Sequence, residues 1–341
     1  MNFSFKPLSQ QTIVITGASS GIGLATARAA ARHNARLVLV ARNELALGRI
    51  VDEITARGGR AIHVVADVGR REDLQHVARR AVERFGGIDT WVNDAGVSIY
   101  GRLEQVSDED HLRLFQTNFW GVVYGSLVAL PHLKRQGGAL INLGSEVSDQ
   151  AIPYQGMYSA SKHAIKGFTD ALRMELMEQR APVSVTLIKP AAIDTPYPQH
   201  ARNYFPQEPK LPAPVYAPEE VAEAILHAAT HAKRDIYVGS ASRAMSVLNR
   251  VAPHLTDQFG ARILTQQQLR NEPPRDPSGS LHEAGVDGRV HGDHPGHVMG
   301  TSYYTRASMH PLMTGALALG LGAATAYALK ATRSSADHHG G

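Results

Sequence analysis

The chain has 341 residues, of which 43% are hydrophobic and 19% are charged, and its formal net charge is +4. This composition is typical of a soluble globular protein, and the length is enough for one large α/β domain with an additional segment. Because there is no cysteine, disulfides, thiolate nucleophiles and iron–sulfur clusters are excluded. Basic residues are scattered along the chain, which argues against nucleic acid as a partner. Met1 to Gln10 is short and polar, unlike a signal peptide, which predicts a cytoplasmic protein.

Short apolar runs alternate with segments of helical period up to about residue 240. The predicted strands are Thr12–Thr16, Arg36–Ala41, Ala61–Ala66, Thr90–Asn93, Ala139–Leu143, Val183–Ile188 and Asp235–Val238. The predicted helices are Ile22–His33, Glu44–Arg57, Arg71–Phe85, Asp108–Leu133, Gly156–Gln179 and Pro218–His231. This alternation predicts an α/β fold of the doubly wound Rossmann type with a seven-stranded parallel sheet, followed by an irregular and helical C-terminal extension. Ligands of such a sheet bind at the carboxyl ends of its strands.

A glycine-rich turn joins the first predicted strand to the first predicted helix. It reads Thr16-Gly17-Ala18-Ser19-Ser20-Gly21-Ile22-Gly23. Glycines let the backbone approach a pyrophosphate closely, and the helix N-terminus offers N–H groups and a partial positive charge to the phosphates. The spacing T-G-x-x-x-G-x-G resembles that of the short-chain dehydrogenases/reductases, and this resemblance covers about residues 10 to 240.

The end of the second strand bears on the choice of nicotinamide cofactor. Arg42 stands where an NAD enzyme usually carries an acidic residue for the ribose 2′-hydroxyl. A guanidinium attracts the 2′-phosphate of NADP instead, so NADP(H) is favoured, with Ser19 as an additional donor and NAD(H) as the alternative. The resemblance also implies cofactor contacts after later strands, from Asp67, Val68, Asn93, Ala95, Gly96, Pro190, Ile193 and Thr195. Asp94 stands where the family pattern has Asn, and Ala191 stands where it has Gly. Because Ala does not readily adopt a positive φ, the path of the loop that contains Ala191 is left open.

Tyr158 and Lys162 are four residues apart on a predicted helix, so their side chains share one face. A nearby ammonium lowers the pKa of a phenol, which suits a Tyr that acts as an acid and base near neutral pH. The resemblance implies that Ser145 binds the substrate oxygen and that the backbone carbonyl of Asn118 holds a water of a proton relay. It also implies that Tyr158 and Lys162 contact the cofactor.

These motifs predict an NADP(H)-dependent oxidoreductase that interconverts an alcohol and a carbonyl, with Tyr158 as general acid/base. A non-catalytic NADP-binding sensor or membrane-tethered scaffold on the same fold is the alternative. A sugar-nucleotide epimerase is disfavoured by the glycine spacing. The segment Tyr197–Ala217 is rich in Pro and aromatic residues, which indicates either a lid over an apolar small-molecule substrate or a packed surface loop. We expect a homodimer or homotetramer.

The chain divides into a catalytic domain at residues 1–260, an irregular extension at 261–310, and an apolar segment with a polar tail at 311–341. The nineteen residues Pro311–Leu329 carry no charge, which is near the lower length limit for a bilayer span. A membrane anchor, a helix docked on a partner subunit and a loosely ordered tail all fit this segment, and we favour membrane contact. His291, His294 and His297 lie among Gly and Pro, which predicts an irregular loop rather than a metal site.

Overall fold

The computed structural model describes residues 5–285, 288–310 and 314. Its strands are β1 (Thr12–Thr16), β2 (Arg36–Ala41), β3 (Arg60–Val65), β4 (Thr90–Asn93), β5 (Ile99–Tyr100), β6 (Gly138–Leu143), β7 (Val183–Pro190), β8 (Ala192–Ile193), β9 (Arg202–Asn203), β10 (Val215–Tyr216), β11 (Asp235–Val238) and β12 (Val298–Met299). Its helices are α1 (Gly21–Arg32), α2 (Glu44–Ala56), α3 (Arg71–Phe85), α4 (Asp108–Phe115), α5 (Gly121–Gln136), α6 (Gly156–Glu178), α7 (Tyr197–His200), α8 (Pro218–Ala228), α9 (Ser240–Val251), α10 (Pro253–Phe259), α11 (Thr265–Gln267) and α12 (Tyr303–Met309).

Within the described residues, seven strands form one parallel sheet in the order β11-β7-β6-β4-β1-β2-β3. Strand β1 lies in the interior of the sheet, where Val14 is opposite Val38 of β2 on one side and Trp91 of β4 on the other. Every residue of β1, β4, β6 and β7 is buried, as expected for strands covered by helices on both faces. The predicted doubly wound fold is therefore confirmed, and the strand order reverses between β1 and β4.

The prediction of a single long helix at Asp108–Leu133 is wrong, because the helix is interrupted. A π-helical segment at Gln116–Trp120 separates α4 from α5, and α5 continues to Gln136. A π-helical turn widens the backbone hydrogen-bond spacing by one residue and often lies at a functional site. A prediction from hydrophobic periodicity cannot detect one inserted residue, because the apolar residues return to the same helix face within one turn.

The C-terminal extension packs against the domain that precedes it. Val298 of β12 pairs with Val215 of β10, and β10 pairs in turn with β8. In α12, the Thr305 hydroxyl accepts a 3.0 Å hydrogen bond from the backbone of Gly239. Leu281 is fully buried in a small core cluster that also contains Val97, Ile99, Val106 and Leu114.

The segment Pro311–Leu329 lies outside the described residues apart from Thr314. None of the helices in the described part of the chain combines the length and apolar character needed to cross a membrane.

Replacing Leu281 with Ala tests how firmly the extension is joined to the core. A buried Leu→Ala change costs about 2–5 kcal/mol through lost burial and a residual cavity. We therefore expect Leu281→Ala to lower the free energy of unfolding by about 2–4 kcal/mol, measured by denaturant titration. The control is Leu45→Ala on α2, where Leu45 is 76% exposed, and its effect should stay within about 0.5 kcal/mol. Equal effects of the two changes would mean that the extension contributes nothing to the core.

Candidate active site

Two neighbouring hollows lie at the carboxyl ends of the central strands. The first, here the glycine-turn cleft, is lined by eleven of the predicted cofactor residues: Gly17, Ser19, Ser20, Gly21, Ile22, Arg42, Asp67, Val68, Ala95, Gly96 and Thr195. The second, here the tyrosine pocket, brings together the predicted Ser145, Tyr158, Lys162, Pro190 and Ile193. The two hollows share the walls Ile22, Asp94, Gly96, Thr195 and Tyr197. A ligand in the cleft therefore reaches into the pocket.

The glycine turn is held tightly against the end of β4. Gly17 has a φ of +72°, and a Cβ there would lie 2.9 Å from the Ala95 backbone. A Cβ on Gly23 would lie 2.3 Å from the Gly17 carbonyl oxygen. The Thr16 hydroxyl accepts hydrogen bonds from the backbone of Asp94 at 3.0 Å and of Ala95 at 3.2 Å. The N-terminus of α1 thus opens onto the cleft, where its partial positive charge suits a pyrophosphate.

The presence of Asp94 in place of the Asn of the family pattern has a structural explanation. Its carboxyl accepts a hydrogen bond from the backbone N–H of Gly23, in the first turn of α1. A carboxylate at this end of a helix interacts favourably with the helix dipole. Burial nevertheless raises the pKa of Asp94 to about 7, against the opposing effects of the Lys162 charge and of the Gly23 hydrogen bond.

The C-terminal extension supplies one wall of the glycine-turn cleft. Ser280, Ala284 and Gly285 line the cleft. The Arg42 guanidinium donates to the carbonyls of His282 at 3.0 Å and Leu281 at 3.3 Å, and also to the carbonyl of Ser280.

The extension also contacts the glycine turn itself. Gly288 donates to the Ser19 carbonyl at 2.8 Å, and the N–H of Gly21 donates to the Arg289 carbonyl at 2.9 Å. No sequence motif marks these extension residues, so sequence reasoning missed this wall.

Two of the predicted cofactor residues are engaged by the protein itself. Burial alone would raise the pKa of Asp67, but hydrogen bonds from Arg113 at 2.6 Å and from the Gly69 backbone at 2.9 Å hold it below its usual range. Asn93 is buried, and its amide donates to Asn142 at 2.9 Å and to Ser126 at 3.2 Å. Its side chain therefore joins neighbouring elements inside the fold, and neither described hollow includes it.

Tyr158 and Lys162 lie one turn apart near the start of α6, as predicted from their spacing. The Lys162 Nζ is 5.6 Å from the centre of the Tyr158 ring and donates a 2.8 Å hydrogen bond to the Leu143 carbonyl. Ser145, just beyond β6, is within hydrogen-bond reach of the Tyr158 hydroxyl. The residues that end and follow β6 and the first turns of α6 thus meet around one phenol.

Asn118 lies in the π-helical segment and does not line either hollow within the described residues. Its side-chain oxygen accepts from the Val97 N–H at 2.8 Å, while its amide donates to the Val97 carbonyl at 2.9 Å and to the Ser161 hydroxyl at 3.2 Å. The paired hydrogen bonds fix this segment to the chain that follows β4.

The electrostatics of the pocket are set by burial and by two carboxyl groups. Burial raises the pKa of Tyr158 to about 12, hydrogen bonds with Tyr197 and Ser145 oppose that rise, and the charges of Glu146 and Asp94 add to it. Burial also lowers the pKa of Lys162 to about 8. The spacing of Tyr158 and Lys162 predicts a lowered pKa for the phenol, whereas in the folded chain burial and two acids raise it.

Three further polar side chains of the pocket, Tyr100, Glu146 and Gln155, were not predicted, and Tyr197 of the predicted lid segment lies beside them. The Tyr197 ring centre is 5.5 Å from that of Tyr158. Its hydroxyl is 2.7 Å from both the Ser98 hydroxyl and the Gln155 side-chain oxygen. The Gln155 amide donates to Gln268 at 2.7 Å, so the chain beyond residue 260 also supports this side of the pocket.

The loop after β7 follows a path that Ala191 can adopt. Strand β7 runs on to Pro190, and the Ala191 N–H donates to the Val238 carbonyl at 2.9 Å. Ala191 does not have a positive φ, so the absence of glycine imposes no backbone strain. The side chain of Thr195 reaches the start of α1, within 3.2 Å of the position that a Cβ on Gly21 would take.

A family model described as short chain dehydrogenase matches residues 11–204. The chain belongs to the short-chain dehydrogenase family. It is an oxidoreductase built on the NAD(P)-binding Rossmann fold of that family. The matched range ends before the residues of the extension that line the glycine-turn cleft.

Relatives of this short-chain dehydrogenase differ in how much of the chain they share. The protein named uncharacterized oxidoreductase YxnA, from Bacillus subtilis (strain 168), is 46% identical over 321 residues, covering 93% of this chain and 90% of its own. A short-chain dehydrogenase/reductase from Burkholderia phymatum, solved in complex with NAD, has a TM-score of 0.67 at 27% identity and covers 80% of this chain and 99% of its own. An alcohol dehydrogenase from Thermococcus sibiricus, complexed with 5-hydroxy-NADP, has a TM-score of 0.59 at 30% identity and covers 67% and 95%.

Asp94→Asn tests the electrostatic role of the buried acid. The Asp94 charge raises the pKa of Tyr158, so its removal lowers that pKa. If Tyr158 is the base in alcohol oxidation, that reaction needs its phenolate, and the rising limb of kcat/KM against pH should therefore move to lower pH in the variant. The measurement is the pH profile of alcohol oxidation.

Asp52→Asn, at an exposed position on α2, is the control for Asp94→Asn and should leave the profile in place. A limb that stays still or moves to higher pH in Asp94→Asn would contradict the assignment.

Proposed function

We propose that this short-chain dehydrogenase interconverts an alcohol and a carbonyl with NADP(H), with Tyr158 as the general acid/base. The observation that carries the proposal is the meeting of Ser145, Tyr158 and Lys162 in a pocket that shares walls with the glycine-turn cleft. A dinucleotide in the cleft would place its reactive end beside the phenol.

Each residue of the tyrosine pocket has a role in this proposal. When bound, the nicotinamide supplies or accepts the hydride at the carbonyl carbon. In reduction, Tyr158 donates its proton to the substrate oxygen, and in oxidation it takes that proton back. Ser145 orients the oxygen, and Lys162 places a positive charge beside the phenol. The side chain of Asn118 anchors the π-helical segment. We propose that the backbone carbonyl of Asn118 holds a water molecule of a proton relay.

Tyr158→Phe removes the proton donor while keeping the ring. We expect kcat to fall by about 100-fold or more and the Kd for NADPH, measured by fluorescence titration, to stay within about threefold. Tyr303→Phe, at an 85% exposed position on α12, is the matched control and should have wild-type turnover. Near-normal turnover of Tyr158→Phe would exclude Tyr158 as the acid/base.

The preference for NADP(H) over NAD(H) is supported by the end of β2. Arg42 lines the glycine-turn cleft there, and no carboxylate stands in its place. The carbonyls of the extension hold the guanidinium at the cleft wall. A guanidinium at that wall matches the charge and geometry of a 2′-phosphate. We propose that the remaining contacts come from Gly17, Ser19, Ser20, Gly21, Ile22, Gly23, Asp67, Val68, Ala95, Gly96, Pro190, Ile193 and Thr195.

The substitution Arg42→Ala tests whether Arg42 determines the preference for NADP(H) over NAD(H). Hydrogen bonds to charged groups contribute about 1.5–3 kcal/mol, so the Kd for NADPH should rise about tenfold or more. The Kd for NADH should change by less than about twofold, because NADH lacks the 2′-phosphate.

Arg49→Ala, at an exposed position on α2, controls for the loss of one positive charge. Since Arg42 also holds the extension, an equal loss of affinity for both cofactors would assign Arg42 to the cleft wall and not to the 2′-phosphate.

We propose a small and largely apolar substrate. Val147, Ile152, Leu211 and Pro212 line the tyrosine pocket, and Tyr197 at the start of α7 covers it. The predicted lid segment Tyr197–Ala217 thus contributes part of the pocket wall, as an enclosing loop would.

We propose that the chain consists of three structural parts. Residues 1–260 form the catalytic domain, residues 261–310 an extension that supplies part of the cleft wall, and residues 311–341 an apolar segment with a polar tail. We also propose a homodimer or homotetramer. The support is that Leu127, Met174 and Met177 on α5 and α6 are exposed large apolar side chains, of the kind that association covers.

A further inference from the structure

Glu146 is an acidic side chain in the wall of the tyrosine pocket. It follows Ser145 directly, and both residues line the pocket together with Tyr158. Its charge acts on the Tyr158 hydroxyl, whose pKa it raises. The Glu146 side chain therefore lies in the wall of the pocket in which a substrate at Tyr158 would be bound.

Among the described residues, no side chain or backbone group forms a hydrogen bond or ion pair with this carboxyl group. Glu146 is half-buried, and burial raises its pKa to about 7. Removing a carboxylate from water without a partner costs free energy, and this one also opposes formation of the phenolate. A hydrogen-bond donor supplied by the substrate would offset the first of these costs, and a positively charged donor would offset both.

Helix capping does not account for the residue. Glu146 opens a 3₁₀-helix of only three residues, Glu146–Ser148, whose N-terminus is already capped by Ser145 and Ser148. A helix of this length has little dipole for a carboxylate to stabilise.

A second polar group of the pocket also has no partner of good geometry. The Tyr100 hydroxyl is buried and forms no hydrogen bond by distance and angle among the described residues, although the Gln155 amide is near enough to lower its pKa slightly. Tyr100 is fully buried, and its ring centre lies 6.5 Å from that of Tyr197. The pocket thus combines apolar walls with a carboxyl group that has no partner among the described residues and a hydroxyl that has no hydrogen bond of good geometry.

We propose that Glu146 recognises a second hydrogen-bond donor, a hydroxyl or an ammonium group, next to the reacting carbon of the substrate. The substrate is then an amphipathic compound, a vicinal diol or amino alcohol and its carbonyl partner, with an apolar chain against Ile152 and Leu211. This inference rests on the proposed function and narrows its substrate class.

The test compares three alcohols of one chain length: a 2-alkanol, the 1,2-alkanediol and the 1-amino-2-alkanol. The readout is kcat/KM for oxidation at C2 by the full-length protein with NADP⁺, with product identification, expressed as the ratio to the plain 2-alkanol. For the two neutral substrates this ratio is insensitive to changes in the Tyr158 pKa, because these affect both substrates alike. The variants are Glu146→Leu, which removes the acceptor, and Glu146→Gln, which keeps an acceptor oxygen without the charge.

For the wild type we expect a ratio of about ten or more for the diol or the amino alcohol, the size of one hydrogen bond to a charged group. The substrate with the higher ratio identifies the donor. Glu146→Leu should bring both ratios to about one, whereas Glu146→Gln should keep part of the ratio for the diol and lose that for the ammonium.

A wild-type ratio near one, or a ratio that is the same in Glu146→Leu and Glu146→Gln as in the wild type, overturns the inference while leaving the proposed function intact. If the wild type oxidises none of a broad set of alcohols, the proposed function fails and this inference fails with it.

Discussion

The site depends on the contact between the start of α1 and the end of β4. Thr16 binds the backbone that follows β4, Gly17 and Gly23 leave no room for a side chain, and the Asp94 carboxyl accepts the N–H of Gly23. These contacts hold the helix N-terminus at the reversal point of the sheet, where a dinucleotide binds in folds of this kind. The same stretch leads on to Gly96, so the glycine-turn cleft and the tyrosine pocket share it as a common wall.

Charge in the pocket is arranged around one phenol. Two acids, Asp94 and Glu146, oppose ionisation of Tyr158, and Lys162 stands one helical turn away with its own pKa lowered by burial. This balance favours the protonated phenol, the form that would donate to a carbonyl oxygen in the proposed reaction. A positively charged oxidised nicotinamide beside the phenol would shift the balance toward the phenolate, so the direction of reaction and the charge of the site are coupled.

The extension gives this family member a cleft wall that the matched family range does not contain. Leu281 is buried with residues that follow β4, and the neighbouring carbonyls hold Arg42. The residue expected to choose the cofactor is therefore also a structural link between the domain and the extension. The alignment with YxnA covers 93% of this chain, so that relative shares more than the family core.

The sequence by itself determined the seven strands of the main sheet and the local residue pairs. Backbone geometry sets these features within a few residues of one another, so short stretches of the sequence are enough to predict them. They are the strand and helix periods, the glycine turn and the four-residue spacing of Tyr158 and Lys162. Only the tertiary structure decided that Arg42 meets carbonyls 238 to 240 positions away, that Asn93 faces the interior, and that Glu146 lies unpaired beside Tyr158. Such contacts arise from the packing of distant segments and from the burial it imposes, and neither residue type nor spacing encodes them.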